Sequence, residues 1–134
     1  MLRRLLALAL LGSLLGAAGG APAQGAPGSW QGRAPALLVA RSDQRVCSEP
    51  LPPPPLASGQ RLASLAWQFS VPAGAPLRAW LCHPQQCLAL PASRGRSRAL
   101  GGLDAGQPLQ LCFLLDAGGR PQRVADLQVL VEYR

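Results

Sequence analysis

The chain has 134 residues, thirteen of them arginine and none lysine, with six acids and a formal charge of +7. That length is one domain of ordinary size, large enough for a single core. With 4% aromatic residues and no basic helix, the surplus charge argues against nucleic acid as a partner and leaves an anionic membrane surface as the class it could favour.

The first 23 residues read as a secretory signal peptide. Arg3 and Arg4 form a short positive region, Leu5 to Leu15 an apolar run, and Ala21-Pro22-Ala23 an A-x-A cleavage pattern. The run is too short for the ~20 apolar residues of a membrane span, which disfavours the alternative of an N-terminal anchor. Cleavage is expected after Ala23, with Ala18 the second choice. Removing 23 of 134 residues leaves a single domain, 24–134, of 111 residues, and the loss of Arg3 and Arg4 takes +7 to +5. The chain is then expected to be exported from the cytosol.

Residues 19–29 are a Gly/Pro/Ala lead-in with little to bury, and Trp30 is the first large apolar side chain after it. APALLVA (34–40) predicts a strand, and RSDQR (41–45) a polar turn. The prolines of EPLPPPP (49–55) donate no backbone N–H, so this stretch is expected as polyproline II on an edge or as a stiff connection. In RLASLAWQFSV (61–71), Leu65, Trp67, Phe69 and Val71 would face inward and Leu62, Ser64, Ala66, Gln68 and Ser70 outward, the pattern of a half-buried strand. LRAWLC (77–82) and CLALP (87–91) predict two strands around HPQQ. Residues 93–107 read as a flexible stretch, 108–116 as a strand, 117–123 as a turn and 124–134 as one strand or two. Short apolar runs with regular turn signals predict an all-β fold, a single-domain antiparallel sandwich of about seven strands.

Four cysteines remain after export: Cys47, Cys82, Cys87 and Cys112. If 77–82 and 87–91 form a hairpin, Cys82 and Cys87 face one another at ~4.5–5.5 Å between Cα atoms, a distance a disulfide tolerates. A zinc site would want a second short-spaced ligand pair, and a thioredoxin-like site a C-x-x-C at a helix start; this stretch has neither, so no metal is expected. Cys47 and Cys112 are the leftover pair, bridged in an oxidising compartment or else two buried thiols. His83 is expected as an exposed turn residue. Six acids in or beside turns, one histidine and no nucleophile elbow predict no enzyme and no cofactor. Two features remain as partner contacts. Trp80 lies on the face of Cys82, and Arg94, Arg96 and Arg98 alternate in SRGRSR, so that an extended chain would present three guanidiniums on one face.

An ordered set of features resembles the FlhE family of flagellar periplasmic proteins. Gly28-Ser29-Trp30 follows the leader, and Ala57-Ser58-Gly59 precedes Leu65-Ala66-Trp67. Leu77-Arg78 leads into Leu81-Cys82, four residues, then Cys87-Leu88-Ala89-Leu90; Gly118-Gly119-Arg120 makes a turn, and Val131-Glu132-Tyr133-Arg134 closes the chain. Cys47, Cys112 and the run Pro52 to Pro55 depart from the family pattern. The resemblance implies a non-enzymatic, all-β protein that regulates flagellar type III export and assembly. It would limit proton leak through the export apparatus by contacting export or rod and basal-body proteins, as a monomer. A general periplasmic chaperone-like module and a small cell-wall or carbohydrate-binding domain are the alternative classes.

Overall fold

A computed structural model describes residues 26–134, so the leader and its cleavage site lie outside the described residues. These residues form nine strands: β1 (Gly28–Ala34), β2 (Leu37–Val39), β3 (Val46–Cys47), β4 (Leu62–Ser70), β5 (Leu77–His83), β6 (Gln86–Leu90), β7 (Arg94–Ser97), β8 (Gln110–Leu115) and β9 (Gln122–Tyr133). A single 3₁₀ turn, Pro55–Ala57, is the helical element among them. The strands build two antiparallel sheets, one ordered β1-β9-β4-β7 with β2 also on β9, the other β3-β8-β5-β6.

Alternation decides which side of each strand meets the other sheet. Leu65, Trp67 and Phe69 of β4 point inward with Val129 and Val131 of β9; Ala79 and Leu81 of β5 face them with Leu111, Phe113 and Leu115 of β8. Phe69 and Phe113 meet edge to face across the gap, their centroids 5.1 Å apart at 85°. The register shifts between Leu62 and Ser64, so Leu62 is buried as well and does not follow the outward set that strict alternation gives it.

β9 is the long organising strand. Its inward residues step by three between Val124 and Leu127, where Asp126 sits at φ 53°. The partner edge breaks at the same point, because Ala34 pairs with Leu127 and Leu37 with Val124, leaving Pro35 and Ala36 between β1 and β2. A bend shared by both strands lets the ribbon curl around the core. After β2 the chain crosses to the other sheet, where the Leu115 N–H donates to the Arg41 carbonyl at 2.9 Å.

Three strands were not expected. β1 begins on the last two residues of the lead-in and runs through Trp30–Arg33, which carried no assigned element, β3 is two residues long, and β7 lies at the start of a stretch expected to be flexible. Pairing makes β7: Gly95 lies opposite Trp67, and the indole covers the glycine, its Nε1 donating to the Ala92 carbonyl at 3.0 Å. A Cβ on Gly95 would fall 2.5 Å from Trp67 Cζ2. Gly95→Ala should therefore tilt the indole and cost about 1–3 kcal/mol, as overpacking does. The urea midpoint should fall with an unchanged slope; an unshifted midpoint would mean that the ring does not pack there.

The proline run behaves as its chemistry requires. Leu51 exchanges backbone bonds with Leu109 at 2.7 and 3.2 Å, and Pro52 to Pro54 then leave the sheet.

Candidate functional site

On β5, Ala79, Leu81 and His83 are buried, so Arg78, Trp80 and Cys82 face outward. Register places Cys82 opposite Cys87, Trp80 opposite Cys112, and Cys112 opposite Cys47. All four sulfurs and Trp80 therefore lie on the outer face of the four-stranded sheet. Both cysteine pairs are bonded, Cys47 to Cys112 and Cys82 to Cys87, each with Cα atoms 4.0 Å apart. In the β5–β6 hairpin Pro84 and Gln85 form the turn and His83 faces Gln86. Cys82 and Cys87 are one step further in, where close cross-strand approach is expected. Each bridge fastens an edge strand, β3 or β6, to a central one.

Two arginines complete the face. The Arg45 guanidinium lies 3.8 Å from the centre of the Trp80 ring and that of Arg78 5.7 Å from it. Arg45 Nη1 also donates to Cys87 Sγ at 3.9 Å. Arg78 is further held by Asp116 at 3.8 Å, an exposed pair of small energetic weight. Trp80 is thus half-buried, with two cations on an electron-rich ring. Neither arginine was read from the sequence as a contact residue. Arg78 could have been, lying two residues before Trp80 on an alternating strand; Arg45 carries no local signal, since β3 reaches Trp80 only through β8.

The arginines of SRGRSR do not join this face. Arg94 and Arg96 are on β7, at the edge of the other sheet, and Arg98 lies just beyond the strand. Arg96 pairs with Glu132 at 2.9 Å, and Ser64 Oγ donates to the same carboxylate at 3.0 Å. Arg94 reaches Gln68 at 3.5 Å. Two exposed guanidiniums share a strand face, one of them neutralised, and the third belongs to the following loop. Pairing with β4 stops at Ser97, so only Arg94 and Arg96 of the three are held on the strand.

His83 is not an exposed turn residue. It is 3% exposed, because the parity of β5 turns it inward with Leu81. Its Nδ1 accepts the Gln85 N–H at 3.1 Å and its Nε2 meets the Asp104 carbonyl at 2.9 Å. With Nδ1 accepting, Nε2 donates, so the ring braces the hairpin tip against the loop before β8. In that loop the Gly106 N–H, at 2.8 Å, holds the Asp104 carboxyl below its ordinary range against the opposing cost of desolvation, with Gln107 and Arg61 adding to the effect. Hydrogen bonding and charge from Arg41 do the same for Asp43. Among the described residues no three histidine, cysteine or acidic side chains gather as a metal site, and no helix is long and apolar enough to cross a membrane.

The family model for "Flagellar protein FlhE" matches residues 37–134. Among solved structures, one titled "Crystal Structure of FLHE" aligns with a TM-score of 0.72 and 27% identity, over 81% of this chain and 97% of that chain. No match was found among curated proteins.

Proposed function

This chain belongs to the FlhE family of flagellar proteins, and we propose that it is a periplasmic accessory of flagellar type III export and assembly. On this reading it limits proton leak through the export apparatus by docking, as a monomer, on export or rod and basal-body proteins. The outer face of the four-stranded sheet carries the proposal: a half-buried Trp80 between two disulfides, with guanidiniums at its rim. Disulfides at both edges favour an oxidising compartment. They also limit rearrangement of the face on binding, which lowers the entropic cost of association. An aromatic residue in such a setting is the kind of side chain that dominates interface energies.

Cells lacking the chain should acidify their cytoplasm while assembling flagella, and the wild-type chain should restore the pH. Trp80→Ala should fold normally, lose at least about tenfold in capture of flagellar components from the periplasm, as loss of a central aromatic anchor does, and fail to restore the pH. A deletion strain with normal cytoplasmic pH would end the proton-leak reading, and unchanged capture by Trp80→Ala would remove Trp80 from it. Arg94→Ser, Arg96→Ser and Arg98→Ser together test a separate electrostatic contact with an anionic membrane or acidic protein, which should weaken as salt rises; a salt-independent interaction discards that patch.

A second reading, a general chaperone-like module, is favoured by the edge position of β6, which leaves backbone groups free to pair with a peptide strand. Protection of unrelated unfolded proteins from aggregation would support it over a dedicated flagellar role. The cell-wall reading has less support, since the groups over Trp80 are guanidiniums where a sugar-cleaving groove calls for a carboxylate pair.

A further inference from the structure

We propose that the Cys82–Cys87 bridge is a site of thiol–disulfide exchange, opened by an external dithiol at Cys87 with Arg45 stabilising the charge on sulfur.

Exchange needs an attacking thiolate in line with the sulfur–sulfur bond, and a leaving sulfur able to carry negative charge. β6 is the last strand of its sheet, so the side of Cys87 Sγ away from Cys82 faces the open edge. Cys87 is exposed, and Cys82 is half-exposed on the outer face. The Arg45 guanidinium, 3.9 Å from Cys87 Sγ, attracts the incoming anion and favours thiolate over thiol at that sulfur.

The other bridge also holds an edge strand and has one exposed cysteine, Cys47. Attack at Cys47 would leave the negative charge on Cys112, which is 3% exposed, and burying an unpaired thiolate is costly. Attack at Cys112 is sterically closed for the same reason. The two bridges share a face and a strand register yet differ in what the leaving sulfur meets.

The reaction balances with a dithiol as reductant. Its first sulfur, as thiolate, attacks Cys87 Sγ. The Cys82–Cys87 bond breaks, its electron pair leaves on Cys82 Sγ, and that sulfur takes a proton from water. In the mixed disulfide, the second sulfur of the dithiol attacks the first and closes the dithiol's own disulfide. Cys87 is released as a thiolate beside Arg45 and is protonated by solvent in proportion to its acidity. Two electrons pass from the dithiol to the bridge, and the two protons it loses balance those taken up.

The test uses the purified, oxidised protein in dithiothreitol without denaturant, with timed quenching by a thiol alkylator and mass-spectrometric mapping. Cys82 and Cys87 should be labelled together, about tenfold faster than Cys47 and Cys112. Arg45→Gln should slow opening of the Cys82–Cys87 bridge by at least about threefold, leave the other bridge unchanged as an internal control, and raise the pH at which reduced Cys87 begins to be alkylated. Arg45→Lys should restore much of both. Equal rates for the two bridges, earlier labelling of Cys47, or an Arg45→Gln protein indistinguishable from the parent would each overturn the proposal.

Discussion

Replacing Cys47 and Cys112 together with alanine should lower the free energy of unfolding by about 4 kcal/mol, about twice the loss from the same change at Cys82 and Cys87. The difference lies mainly in the unfolded chain. The first bridge joins residues 65 apart and the second joins residues 5 apart, so the first removes far more freedom from the denatured ensemble. The backbone geometry is alike, since each bridge spans one antiparallel pair with Cα atoms 4.0 Å apart. A loss of about 4 kcal/mol is a large part of the 5–15 kcal/mol typical of a domain. The double variant should therefore show a marked fall in urea midpoint under non-oxidising conditions that leave the remaining bridge intact. Equal losses from the two pairs would mean that native-state geometry, and not loop length, sets their contribution.

Phe113→Ala should destabilise the protein by about 3–5 kcal/mol. Phe113 is 0% exposed, at the middle of β8, and its ring meets the Phe69 ring from the opposite sheet. Truncation removes buried apolar area and leaves a cavity that two stapled sheets can close only in part. Phe113→Leu, which retains much of the volume, should lose less than half as much. Leu114→Ala, one residue along and turned outward, should lose only a small fraction. Urea denaturation of the three variants checks the order, and a Leu114→Ala loss as large as that of Phe113→Ala would contradict the inward assignment of β8.

Much of this was legible because it depends on neighbours in sequence. The alternation of Leu65, Trp67 and Phe69 identifies β4 and its inward face, and the spacing of Cys82 and Cys87 around a proline-containing turn locates the β5–β6 hairpin. The features that escaped depend on distant partners. GSWQGRA has weak strand character, and it becomes β1 because β9, about a hundred residues later, supplies its hydrogen bonds. SRGRSR is extended because β4 lies beside it and Trp67 caps Gly95, and the limit of that pairing leaves Arg98 in a loop. His83 follows Cys82 at a turn, which suggests exposure, yet one step of strand parity carries it into the interior against Asp104.

The amino-acid sequence by itself determined an all-β fold, the inward face of β4, and the hairpin that sets two cysteines opposite each other, since these follow from side-chain period and turn chemistry over a few residues. Only the tertiary structure decided that Arg45 lies across Trp80 to Cys87, that both bridges share one outer face, and that His83 is buried. Those placements arise from the register of strands far apart in the chain, and register between distant strands is set by how the two sheets close over a common core, which no local pattern encodes.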